Sequence, residues 1–205
     1  MAKKVIVTAD STCDLNDELK NRYGIHTIPL HITMNDKCCE DMVNITPDDI
    51  YDNFYKTGSL PKTSAISIGE YMSFFRPFTE QGFEVVHINI GGALSSSAQN
   101  AAAAAKELSG VYAVDSCNLS SATGHLVIEA AKLAQQGLTG KEIAAKVSAL
   151  RSKTHASFII DKLNFLRAGG RCSTLAMLGA NLLNLKPCIE VDNKDGSMTV
   201  GKKYR

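Results

Sequence analysis

The chain has 205 residues, 44% of them hydrophobic and 21% charged, enough for one large domain or two small ones with a real core. Its formal net charge of +1 removes the electrostatic argument for a nucleic-acid partner or an anionic membrane surface. Its six cysteines, Cys13, Cys38, Cys39, Cys117, Cys172 and Cys188, form no CxxC pair, and they are expected to be reduced thiols rather than a disulfide framework or a zinc site.

At the N-terminus a short β-branched run, KVIVT at residues 4–8, predicts a strand buried on both faces. It is too short for a signal peptide, and no later apolar run reaches membrane-spanning length, so a cytoplasmic protein without stable membrane insertion is expected. Asp10, Ser11 and Thr12 follow, then a helix over 14–23 stopped by Gly24. Residues 25–33 predict a second strand, and Asn35-Asp36 a turn into a hairpin return over 37–41. Thr46, Pro47 and Asp49 are an N-cap, a first-turn proline and a capping acid, opening a helix that runs to about Lys56. Residues 58–67 predict a polar loop, 68–81 a helix kinked at Pro77, 83–90 a strand, 93–108 a helix and 111–114 a strand. Helices over 124–135 and 139–153 follow, joined at Gly137. The alternation predicts an α/β fold with a Rossmann-like parallel sheet. Beyond Arg151 the texture changes. A strand is expected over 156–160 and a short helix over 163–168 ending in Gly169-Gly170-Arg171. An apolar stretch covers 175–183, and strands over 186–191 and 197–200 flank a DNKDG turn. We therefore expect an N-terminal lobe over residues 1–154 and the start of a second α/β lobe over 155–205, incomplete at Arg205.

Four hydroxyl-bearing segments stand at strand ends or before helices: Asp10-Ser11-Thr12, Thr63-Ser64 with Ser67, Ser95-Ser96-Ser97, and Asp115-Ser116. Ligands of open parallel sheets bind beyond the carboxyl ends of the strands, so these groups are placed to converge on one crevice. Taken singly, each is better explained as a helix cap. The most pointed is GGALSSS at residues 91–97. Its glycines let backbone approach a ligand, and its three serines exceed what one cap requires, at a helix start that favours an anion. The segment lacks the lysine of a phosphate loop, no GxGxxG follows the first strand, and no GxSxG elbow is present. A serine nucleophile would need a base, for which His87 and His125 are nearest in sequence; His87 sits mid-strand among apolar residues and reads better as a core histidine. His26, His31 and His155 lack metal-ligand spacing. Asp10, Asp115 and Asp161 fall at strand ends, where an acid caps the next turn. Arg171 either meets the last carbonyls of the helix before it or is held on an exposed turn for an anion or a carboxylate.

These stretches, in order and nearly end to end, resemble the DegV family of bacterial fatty-acid-binding proteins. VIVTADSTCDL (5–15) is similar to the family's opening, YGIHTIPLHI (23–32) to its second strand and ITPDDIYDNF (45–54) to its hydrophobic-T-P-acidic helix start. LPKTSAISIGEY (60–71) is similar to its P-x-T-S-x-x-S loop, FIIDKLNFLRAGGRCS (158–173) to its D-x-L-x-x-L-x-x-G-G-R signature and LLNLKPCIEV (182–191) to its L-x-x-K-P segment.

The resemblance implies a two-lobed α/β fold enclosing a long-chain fatty acid, with no cofactor. By position, Thr63 matches the Thr of P-x-T-S and Ser95 the Ser of the family's L-S-G-T, which makes these two the expected carboxylate ligands. Ser11, Ser64, Gly91, Gly92, Ser96 and Ser97 are expected in support around the head group, and Arg171 at the pocket mouth or against a partner. The implied role is non-enzymatic: the chain would bind the acid and present its carboxylate to a separate ATP-dependent fatty acid kinase, in phospholipid synthesis. Two departures accompany this. Serines usual in the family are replaced by Gly91 and Gly92, and L-S-G-T becomes Leu94-Ser95-Ser96-Ser97, implying a looser or retuned head-group site. Family members also continue beyond the point equivalent to Arg205, which implies an incomplete second lobe and self-association through an exposed apolar groove. The alternatives are a phosphotransferase or hydrolase using Ser95 or Ser96, and a truncated member without lipid binding.

Overall fold

The computed structural model describes residues 4–161, 164–171 and 186–204. In chain order its elements are β1 (Val5–Asp10), α1 (Asp17–Tyr23), β2 (Ile25–Ile28), β3 (His31–Met34), β4 (Lys37–Glu40), α2 (Pro47–Thr57), β5 (Lys62–Ser64), α3 (Ile68–Glu80), β6 (Glu84–Asn89), α4 (Ser97–Glu107), β7 (Val111–Asp115), α5 (Ser120–Gln135), α6 (Gly140–Leu150), β8 (Ser157–Ile159), α7 (Asn164–Gly169), β9 (Lys186–Val191) and β10 (Met198–Tyr204). Lys162, Leu163, Cys172 and the apolar stretch 175–183 lie outside the described residues.

Local chemistry accounts for the helix starts. Thr46, Ser67 and Thr139 each cap a helix in a reciprocal box, with Asp49, Glu70 and Glu142 reaching back to the cap N–H. Asn16 caps α1, and Gly24, at φ 63°, ends it in the left-handed conformation that glycine adopts at no steric cost.

The centre is a parallel sheet in the order β2-β1-β6-β7. Side chains alternate across it. Val7, Ala9, Val86 and Ile88 face Leu126 and Val127 of α5 and Ile143 and Val147 of α6. The opposite face packs Val85 and Val111 against Tyr71 and Phe75 of α3 and Ala101 and Ala104 of α4. Each such aliphatic or aromatic side chain, fully buried, contributes about 1.5–3 kcal/mol. Strand order reverses between β1 and β6, which opens a crevice beyond their carboxyl ends.

The expected α/β fold with a parallel sheet is present, with several local differences. The strand expected over 25–33 is two strands. β2 runs parallel to β1, the chain turns after Ile28 at Pro29, and β3 joins a separate antiparallel sheet, β4-β3-β5. The polar loop expected over 58–67 contains β5, whose three residues pair with β3. The helix expected from residue 93 starts at Ser97, and the one expected from 124 starts at Ser120. A single 3₁₀ turn, Ser11–Cys13, occupies the stretch before α1, and another, Arg151–Lys153, follows α6. α3 continues through Pro77.

The residues after 154 form a third sheet, β10-β9-β8, antiparallel throughout. Its buried Ile189, Val191 and Met198 pack with Phe158 and Leu166 and with Leu94 and Leu119 from the loops beyond β6 and β7. Among the described residues no helix is long and apolar enough to cross a membrane.

Candidate functional site

The crevice beyond β1 and β6 opens into a cavity of about 510 Å³, within the range of roughly 300–1,000 Å³ typical of small-molecule sites. Its polar lining is Thr12, Thr63, Ser64, Ser95, Ser96 and Arg171; its apolar lining includes Leu30, Ile90, Leu94, Leu119, Phe158 and Leu166. Among the described residues this lining holds one cation and no carboxylate.

Different elements bring these groups together. Thr63 and Ser64 are carried by β5, held there by pairing with Ile32 and His31 of β3. Ser95 and Ser96 sit on the turn between β6 and α4. Leu94 and Ser95 both donate their N–H to Gly91 O, at 2.9 and 3.3 Å, which closes that turn. Arg171 follows α7 and donates from Nη1 to Gly169 O at 2.6 Å. It therefore meets a carbonyl at the end of its helix while also lining the cavity.

Other expected site residues lie off the lining. The Ser11 hydroxyl donates to Asp41 Oδ2 at 2.7 Å and accepts the Leu30 N–H at 3.2 Å. The Gly91 N–H donates to Asn118 O at 2.7 Å, and a Cβ on Gly91 would stand 3.0 Å from Asn118 N. The Gly92 N–H donates to the Asp115 carboxylate at 3.1 Å, and a Cβ there would stand 2.6 Å from Asp115 Oδ2. These two glycines are thus explained by close approach of neighbouring chain. Asp115 also accepts the Cys117 N–H at 2.8 Å, capping its turn as expected. Ser97 is fully buried behind Ser95. The Ser95 hydroxyl donates to Ser97 Oγ at 3.0 Å, and the Ser97 N–H donates to Ser95 Oγ at 3.2 Å.

Two features lie beyond the expected site residues. The first is Thr12, next to the expected Ser11. It lines the cavity, and its buried hydroxyl has no hydrogen-bond partner among the described residues. The second is a buried polar cluster beneath the cavity. Asp10 Oδ1 accepts from the Tyr71 hydroxyl at 2.7 Å, from His87 Nε2 at 3.2 Å and from Asn89 Nδ2 at 3.3 Å, while Oδ2 accepts the Ile90 N–H at 2.9 Å. Thr8 Oγ1 lies 2.8 Å from His87 Nδ1. Burial acts to raise the Asp10 carboxyl, but the bond and charge of His87, with Tyr71 and Ile90, hold it below its ordinary value. Burial, with Asp10 alongside, pushes the Tyr71 phenol far above its ordinary range, so it stays protonated. Period-2 alternation was the available signal, since it places Thr8 and Asp10 on one face of β1 and the register sets Thr8 opposite His87. His87 is a core histidine, as its strand position suggested. His125 and His155 are exposed and line no part of the cavity.

The fold and site together define an α/β protein with a cavity at the switch point of a parallel sheet, lined by hydroxyls and by apolar side chains. The chain belongs to the DegV family, whose model, described as an uncharacterised protein family, matches residues 4–205. A DegV domain-containing protein of Clostridium perfringens is 28% identical over 204 residues, which are 98% of this chain and 72% of that one. One from Listeria monocytogenes is 30% identical over 197 residues, 95% of this chain and 70% of that one. Among solved structures, a DegV family protein of Thermus thermophilus described for fatty acid binding superposes with a TM-score of 0.90 at 29% identity, over 98% of this chain and 72% of that one. A stearic acid-binding protein of Eubacterium ventriosum gives a TM-score of 0.86 at 28% identity, over 99% and 71%.

Proposed function

We propose that this protein binds a long-chain fatty acid without catalysing its conversion, and presents the carboxyl group to a separate ATP-dependent kinase. The observation that carries the binding reading is the make-up of the cavity lining, which joins the hydroxyls of Thr12, Thr63, Ser64, Ser95 and Ser96 with aliphatic side chains and Phe158. An alkyl chain along the apolar side chains contributes about 0.8 kcal/mol per buried CH₂. Fatty acid binding by the Thermus and Eubacterium relatives supports the same reading. A serine-nucleophile enzyme is less well supported, because the Ser95 hydroxyl bonds Ser97 rather than a base. On our reading residues 1–154 are a lobe carrying the head-group site, and residues 155–205 supply the facing wall with Arg171 at the mouth.

Native mass spectrometry with lipid extraction tests the binding reading. We expect one long-chain fatty acid per chain, and Thr63→Ala and Ser95→Ala to weaken it about three- to tenfold each, the worth of one hydrogen bond. A chain that is empty and takes up no added oleate or palmitate overturns it. The presentation reading is tested separately: ATP turnover by a fatty acid kinase catalytic subunit should require both this chain and the acid.

A further inference from the structure

The two expected carboxyl-binding hydroxyls stand on different sheets. Thr63 is carried by β5, an edge strand of three residues whose one strand partner among the described residues is β3. Ser95 stands on the turn between β6 of the parallel sheet and α4. Both line the cavity, so one head group meets both only if the two segments are held at a fixed separation. The segment after β5 is tied back to its own sheet: Glu70 Oε2 accepts the Ser67 N–H at 2.8 Å, and Glu70 Oε1 lies 2.6 Å from His31 Nε2 on β3. Toward the Ser95 turn its ties are of two kinds. The Ile66 side chain packs in one cluster with Ala101 and Ala104 of α4, an apolar contact without direction. The directed tie is Asn100, which donates from Nδ2 to Ile66 O at 2.7 Å. It is the one hydrogen bond among the described residues between 62–67 and 91–107.

Asn100 lies one turn into α4, and its N–H donates to Ser96 O at 3.0 Å. Its backbone is thus bonded to the serine turn while its side chain reaches the segment that leaves Thr63. Helix formation does not ask for an asparagine here. Five alanines follow at 101–105, and asparagine is a poorer helix former than alanine. We propose that Asn100 is a positioning residue of the head-group site: it sets the separation of Thr63 from Ser95, so that both hydroxyls meet one carboxyl group. The inference rests on the fatty-acid reading and adds the part that keeps the two hydroxyls in register. Asn100 does not itself line the cavity. It acts through two carbonyls, Ile66 O on the Thr63 segment and Ser96 O on the Ser95 turn.

The test is a double-mutant cycle for dodecanoate binding on the whole chain, read by titration calorimetry. Asn100→Leu keeps the bulk of the side chain in a good helix former and deletes the donor. Alone it should weaken dodecanoate binding about three- to tenfold, the worth of the contact that falls out of register. The deciding readout is Thr63→Ala. In the wild-type background it should cost about three- to tenfold, and in the Asn100→Leu background less than about twofold, because Thr63 no longer shares the carboxyl group with Ser95. Ser95→Ala should keep its full effect there, since bonds to Gly91 O close the turn that carries it. A fold loosened in general would weaken binding but leave the Thr63→Ala step at its wild-type size. Asn100→Ala, a better helix former still, repeats the cycle if the leucine variant does not fold. Three results overturn this inference alone: Asn100→Leu binding as tightly as the wild type, an undiminished Thr63→Ala step in its background, or no Thr63→Ala effect in the wild type. A wild-type chain that takes up no dodecanoate overturns the fatty-acid reading and this inference with it.

Discussion

Burial alone would push the Asp10 carboxyl up, yet the His87 ring, the Tyr71 hydroxyl and the Ile90 N–H hold it below its ordinary value. A carboxyl whose folded value lies below its unfolded one, about 3.9 for Asp, binds protons more readily when unfolded. Its contribution is therefore fully present above that value and is lost as pH falls through the folded one. Acid unfolding monitored by circular dichroism should show part of its slope below about pH 4 arising here, and Asp10→Asn should flatten that part. An unchanged slope in the variant would mean that the cluster does not hold Asp10 ionised. These contacts join residues 61 to 80 positions apart, so no local pattern announces them. The sequence marks Asp10 only as an acid at a strand end and His87 only as a polar residue in an apolar strand. The segment Asp10-Ser11-Thr12 is legible as a group of hydroxyls at a strand end, but which of the two hydroxyls meets the cavity is not, for a related reason. The 3₁₀ turn Ser11–Cys13 aims neighbouring hydroxyls differently, sending Ser11 to Asp41 and leaving Thr12 on the cavity.

Helix caps set where the site-bearing elements start. Ser67 caps α3 and accepts the Glu70 N–H at 3.3 Å, while Glu70 Oε2 accepts the Ser67 N–H at 2.8 Å. Four residues on, α3 carries Tyr71 into the polar cluster. Ser67→Ala removes one partner of the box and should cost about 1 kcal/mol, a fall in melting temperature of roughly 2–4 °C for a chain of this size. A thermal melt checks it, and no change would show that water replaces the cap fully. Such starts are legible because the signal is local: Thr46-Pro47-Asp49 was read correctly from four residues. The misread elements had weak or competing local signals. The three polar residues of β5 resemble loop and become strand only through pairing with β3. Residues 25–33 are β-branched on both sides of Pro29, so periodicity alone does not show that the two halves belong to different sheets. The turn before α4 reads as helix because its residues tolerate helix, whereas bonds to Gly91 O close it as a turn.

At the scale of the whole molecule, the cavity depends on residues far apart in the chain. Leu94 and Leu119, from loops beyond the parallel sheet, pack in one cluster with Phe158, Leu166 and the fully buried Ile189 of β9. Leu94, Leu119, Phe158, Leu166 and Met198 of this cluster also line the cavity. The cluster is small beside the two that sandwich the parallel sheet, so its loss should loosen one side of the molecule before the rest. Ile189→Ala removes a side chain at its centre and should cost about 2–5 kcal/mol locally. Hydrogen exchange should then show lost protection in β8, β9 and β10, with β1 and β6 unchanged, and fatty acid affinity should fall because the apolar lining is no longer held. Equal loss of protection in both sheets would instead mean that the two parts unfold as one unit, with the cavity inside a single cooperative core.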